Sequence, residues 1–152
     1  MKSHRVAESS LIKAPAKNVY SVLADYQNGH PHILPKKYFS LLKIEQGGIG
    51  AGTMIRFQMR ALGRTQSFRA AITELVPGRT LVETDLESGA VTTFTVLPLE
   101  NGNCSHVTIS TELRSRDGLI GLLEQSMISS FLRRVYAQEL KLLAEFVDGK
   151  KQ

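Results

Sequence analysis

The chain has 152 residues, 42% of them hydrophobic and 22% charged, with a formal net charge of +5 and one cysteine. Such a length buries a single core without disulfides or structural metal, and no apolar run approaches the ~18 residues that cross a bilayer. The basic residues are scattered and cluster only at Lys36-Lys37, Arg133-Arg134 and Lys150-Lys151, which argues against a nucleic-acid groove.

In chain order, "HRVAESSLI" (4–12) mixes polar and apolar residues as a strand does, and no apolar core with a small-residue cleavage site precedes or overlaps it. No secretory signal is therefore expected, and with Cys104 as the single thiol the expected location is the cytoplasm. In "APAKNVYSVLADY" (14–26), Pro15 suits a first helical turn. Val19, Val22, Leu23 and Tyr26 recur at spacings of three and four, as on one face of a short amphipathic helix. Asn28-Gly29 ends it. Pro31 and Pro35 forbid a long helix afterwards, so "GHPHILP" (29–35) is a loop or one to two turns.

From Tyr38 to Leu113 the pattern is that of about six strands separated by turns at "GGIGAG", Gly63-Arg64, Pro77-Gly78, Ser88-Gly89 and "ENGN", about seven with the first. Successive strand side chains face opposite ways. Ile55, Phe57, Met59 and Ala61 therefore share one face against Arg56, Gln58 and Arg60. Phe68, Ala70 and Ile72 oppose Arg69 and Thr73, and Phe94 and Val96 alternate with Thr93 and Thr95. Val107, Ile109, Thr111 and Leu113 alternate with His106, Thr108, Ser110 and Glu112. One face is apolar and needs a cover. Residues 117 to about 147 supply it: without a proline, they place Ile120, Leu123, Met127, Ile128, Phe131, Leu132, Val135, Leu142, Leu143 and Phe146 on one broad side of a single long helix. Ser126, Ser130, Arg133, Ala137, Lys141 and Ala144 fall on the opposite, solvated side.

This order of elements resembles the START-related helix-grip superfamily, SRPBCC, and within it the bacterial polyketide cyclase/dehydrase-like branch. The resemblance rests on "LIKAPAKNVYSVLADY" (11–26), "GGIGAGTMIRF" (47–57), "ITELVPGRTLVETD" (72–85), "TTFTVLP" (92–98) and "RRVYAQELKLL" (133–143), which span nearly the whole chain. Many relatives carry tryptophan after Pro31, where this chain has His32. The resemblance implies one α+β domain over 1–152, a curved antiparallel sheet of about seven strands around a long C-terminal helix, with two short helices after the first strand. It also implies a cavity between sheet and helix for lipids, polyketides, sterols, hormones or quinones. The same apolar residues would equally fill a solid core.

The expected ligand-contacting residues are Tyr26, His30, His32, Ile33, Leu34, Ile55, Phe57, Met59, Phe68, Ala70, Ile72, Phe94, Val96, Val107, Ile109, Thr111, Met127, Phe131, Val135 and Glu139. His30 and His32 do not suggest a metal, because His4 and His106 are the only other imidazoles and a site needs three or four ligands. The prolines instead make their segment a rigid wall or lid, with one histidine as a polar anchor. Glu139 lies inside the apolar arc of the long helix, where a carboxylate is costly unless paired or beside a polar ligand. Glu83 and Asp85 share one strand face, and the pattern does not say whether that face is the inner one. "GGIGAG" leads into a strand, which lacks the amide geometry of a phosphate cradle, and reads as a flexible loop at the cavity entrance.

The leading expectation is binding of a hydrophobic small molecule without cofactor or metal. A cyclase or dehydratase with His32 or Glu139 moving a proton is the alternative. A module that binds a macromolecule through Arg56, Arg60 and Arg69 is a third. Neither nucleic acid nor stable membrane insertion is expected, and the oligomeric state is open.

Overall fold

The computed structural model describes residues 2–150. The chain forms β1 (Lys2–Ile12), α1 (Ala16–Ala24), a 3-10 turn (His30–Ile33), β2 (Phe39–Gln46), β3 (Met54–Ala61), β4 (Arg64–Val76), β5 (Thr80–Asp85), β6 (Val91–Leu99), a 3-10 turn (Glu100–Gly102), β7 (Cys104–Ser115) and α2 (Gly118–Lys150). The seven strands make one antiparallel sheet in the order β1-β7-β6-β5-β4-β3-β2. Short turns hold neighbours in register from β2 to β7, whereas β1 returns to the far edge and pairs with β7 from Lys2↔Ser115 to Ile12↔Ser105. Register shifts in β2, at Ser40/Lys43 and Ile44/Gln46, act as bulges that bend that edge strand.

The alternation read from the sequence describes the two faces. Val6, Ile55, Met59, Ala70, Ile72, Leu81, Phe94, Val96, Val107 and Ile109 are buried on the inner face. Outside, Arg69 Nε donates to Glu45 at 2.7 Å and Arg56 to the same carboxylate at 3.3 Å. Two of the three arginines considered for a partner surface are thus engaged with one acid in an exposed network, which holds Glu45 below the usual carboxylate range chiefly through the Arg69 hydrogen bond.

The glycine-rich loop departs from expectation. Residues 47–52 are absent from the cavity lining and instead tie α1 to the strands. Gly50 N–H donates to Ala24 O, Tyr26 N–H to Gly48 O, and Gly52 N–H to Ile72 O, at 2.8–3.0 Å. Glu74 caps the arrangement by accepting from Ala51 N–H and from the Tyr20 hydroxyl, each at 2.8 Å. Gly50 has φ +65°, and a Cβ there would collide with the Glu74 carboxylate, so glycine serves a close approach here and not a mobile entrance.

α2 packs against β1, β7, α1 and the His30–Ile33 turn. Its buried side carries Phe131, Leu132, Val135, Tyr136, Glu139, Leu140, Leu143 and Val147. Its start differs from the sequence reading: Leu119, Ile120, Leu123 and Met127 are 84%, 68%, 65% and 49% exposed. No helix among the described residues is long and apolar enough to cross a membrane.

Candidate functional site

Between the sheet and α2 lies a cavity of about 290 Å³. The space is there because the helix stands off the sheet: Ile128, Phe131 and Leu132 face it from α2, and Phe39, Ile55, Phe57, Met59, Phe68 and Ala70 face it from β2, β3 and β4. Aromatic rings form much of this wall. Phe57 and Phe68 stack at 5.3 Å, Phe39 lies 5.9 Å from Phe57, and Phe131 faces them from α2. Such surfaces suit a flat apolar ligand.

The polar groups are gathered from several elements. β5 turns Glu83 and Asp85 inward beside buried Leu81, which settles the face that the sequence left open. Asp85 is already used: its carboxylate accepts from Arg69 N–H and from the Ser88 N–H and hydroxyl, closing the β5–β6 turn. Glu83 accepts from the Tyr26 hydroxyl at 2.6 Å and lies 3.5 Å from His30 Nε2. The other ring nitrogen of His30, Nδ1, is 2.7 Å from the Leu23 carbonyl. A carbonyl only accepts, so Nδ1 carries the proton and Nε2 is the nitrogen that can take one up. Tyr26 stacks on the same imidazole at 4.4 Å and Phe94 meets its edge at 5.3 Å, so the ring is held on three sides.

Opposite, Glu139 is 3% exposed, and among the described residues its carboxyl makes no hydrogen bond. Burial pushes its pKa well above the carboxylate range, and the charge of Glu83 adds to the effect. Tyr136, one turn before it, bonds to the Thr111 hydroxyl, which also pairs with Thr92 at 2.8 Å. Burial raises the phenols of Tyr26 and Tyr136, so both stay neutral. The cluster therefore holds one carboxylate with a donor already in place, one buried carboxyl without one, and an imidazole nitrogen able to take up a proton. Groups of that kind orient a polar ligand atom or pass a proton to it.

Of the residues expected to touch a ligand, His30, Leu34, Ile55, Phe57, Met59, Phe68, Ala70, Phe94, Thr111, Phe131 and Glu139 line this cavity. Tyr26 stands behind Glu83 and His30. Ile33, Ile72, Val96, Val107, Ile109 and Val135 are packed in the core. His32 is placed differently from expectation: its ring stacks on Phe146 at 4.7 Å, and it is not among the residues that line the cavity. Met127 is also placed differently, half-exposed on the start of α2. The sequence reading missed Tyr136, Thr92 and Phe39. Tyr136 had a signal, since Leu132, Tyr136, Glu139 and Leu143 follow at spacings of four, three and four along one helical stripe.

A sheet gripping its C-terminal helix over an apolar cavity with a polar cluster defines a helix-grip protein. The chain belongs to the family described as polyketide cyclase / dehydrase and lipid transport, whose profile matches residues 3–147. Among solved structures, the KanY protein (ms6282), studied by solution NMR, is 28% identical with a TM-score of 0.84, covering 97% of this chain and 99% of that one. The Zhui aromatase/cyclase from Streptomyces sp. R1128 is 16% identical with a TM-score of 0.82, covering 99% of this chain and 97% of its own. TTHA0849 from Thermus thermophilus is 19% identical with a TM-score of 0.80, covering 98% and 100%. The last two are similar in fold alone. No curated protein sequence matches the chain.

Proposed function

We propose that this protein binds an apolar, ring-bearing small molecule between its sheet and α2, with the ligand's polar end against Glu139, Glu83 and His30. The observation that carries the reading is Glu139. A carboxyl 3% exposed and without a protein partner among the described residues is costly in a finished core, and is accounted for once a ligand supplies the missing hydrogen bond. The aromatic wall supports the apolar half of the reading, and the family's description, with its polyketides and lipids, is in keeping with it.

The test is an NMR titration of isotope-labelled protein with 2-naphthol, a neutral bicyclic probe. Its roughly 11 heavy atoms at about 0.5 kcal/mol each give a Kd on the order of 100 μM. Saturable shifts at Phe57, Phe94, Thr111, Phe131 and Glu139 are expected. Shifts confined to the exposed residues 119–127, or none at millimolar probe, would sink the proposal.

A further inference from the structure

The charges around the cavity are one-sided. Glu83 and Glu139 both face it, and Asp85 is consumed by its own turn. The basic groups among the lining residues are Arg114, which is exposed, and His30, whose Nδ1 is committed to a backbone carbonyl and whose Nε2 lies 3.5 Å from Glu83. No lysine among the described residues lines the space. Two acids are thus set into an aromatic cavity; Glu83 has Tyr26 and His30 beside it, whereas Glu139 has no hydrogen-bond partner among the described residues.

We infer that the natural ligand is a hydrophobic cation: a ring-bearing molecule with a protonated alkylamine that enters between Glu83 and Glu139. The inference rests on the cavity reading above and names the ligand's polar end. An ammonium group carries up to three donors and a full charge, so one group supplies the bond that Glu139 lacks and offsets the burial and the Glu83 charge that oppose its ionisation. A carbonyl satisfies Glu139 only if that carboxyl stays protonated, and a neutral hydroxyl can donate to it in either state but brings no charge to offset that of an ionised carboxylate. The walls add to the preference, because Phe94, Tyr136 and Phe131 present ring faces and edges near the polar cluster, and rings attract an adjacent cation.

Glu83 from β5 acts on Glu139, and the phenols of Tyr26 and Tyr136 are coupled to it. His30, Asp85, Arg114 and the Thr92–Thr111 pair line the same cavity. The sign of the pH dependence follows. Ammonium binding needs Glu139 ionised, so affinity rises with pH, up to the range near 10 where an alkylamine loses its proton. A ligand that accepts a hydrogen bond from protonated Glu139 weakens over the same interval.

The experiment is a matched pair by isothermal titration: 2-(2-naphthyl)ethylamine against 2-(2-naphthyl)ethanol, which differ only in the terminal group. The amine is expected to bind about tenfold tighter at neutral pH or above, with affinity rising from pH 5 to pH 8.5, as charge-assisted hydrogen bonds exceed neutral ones. Glu139→Gln should remove most of that preference, lowering the amine's affinity much more than the alcohol's; as an isosteric neutral amide it keeps the core filled. Equal or tighter binding of the alcohol overturns the inference while the cavity reading stands, and so does a preference that survives in Glu139→Gln. If neither compound binds, the cavity reading and the inference fall together.

Discussion

The two halves of α2 have the same apolar periodicity and opposite environments. From Phe131 to Val147 the stripe is buried against the sheet, α1 and the His30–Ile33 turn, and it carries the site's Glu139 and Tyr136. From Leu119 to Met127 it is largely in solvent. The helix is 33 residues long, about 50 Å at ~1.5 Å per residue, and β7, which leads into it, has 12 residues, about 40 Å at ~3.3 Å each. The difference shows that periodicity reports what a helix can bury, while the position of the cavity decides what it does bury.

Cutting into the gripped half gives the largest expected effect. Leu143 is fully buried, and Leu143→Ala should cost about 2–5 kcal/mol in urea unfolding, the transfer and cavity cost of deleting a buried leucine side chain. A loss under about 1 kcal/mol would mean that the C-terminal half is held far more loosely than its burial indicates.

Glu139 gives a smaller effect with a pH signature. Its folded pKa lies above the unfolded value, so the folded state favours the protonated carboxyl. Below the unfolded pKa of about 4.3 both states are protonated and nothing is lost. As pH rises toward the folded pKa, the unfolded chain ionises first and the wild type loses stability. Glu139→Gln mimics the protonated form, so its melting temperature should match the wild type near pH 4 and exceed it at pH 8. A pH-independent difference would show that this carboxyl does not titrate in that interval.

How far the sequence carried the reading differs by region in the same physical way. Strand alternation foretold the sheet faces because a single buried face leaves a period of two, and Glu139 stood out because a charge inside an apolar arc is rare. Glu83 did not stand out: its strand, TLVETD, has polar and apolar residues on both faces, so only pairing with β4 and β6 fixes its direction. His30 and His32 share one local context. The 3-10 turn decides between them, since its period of three places His30 with Ile33 in the interior and turns His32 outward to Phe146. The hydrogen bonds of the glycine loop to α1 and Glu74 are long-range, and composition alone suggested mobility.

The exposed start of α2 should respond least. Leu123 is 65% exposed, so Leu123→Ala removes little buried area and replaces one strong helix former with a better one. The expected change in unfolding free energy is within about 0.5 kcal/mol, against the several expected at Leu143. That contrast is what makes the comparison of the two halves sharp. A cost above about 1 kcal/mol would mean that this side of the helix is covered in solution. Repeating the measurement across a hundredfold range of protein concentration identifies the cover: a cost that grows with concentration comes from a second copy of the chain, whereas a constant one comes from the helix start folding down over its own cavity.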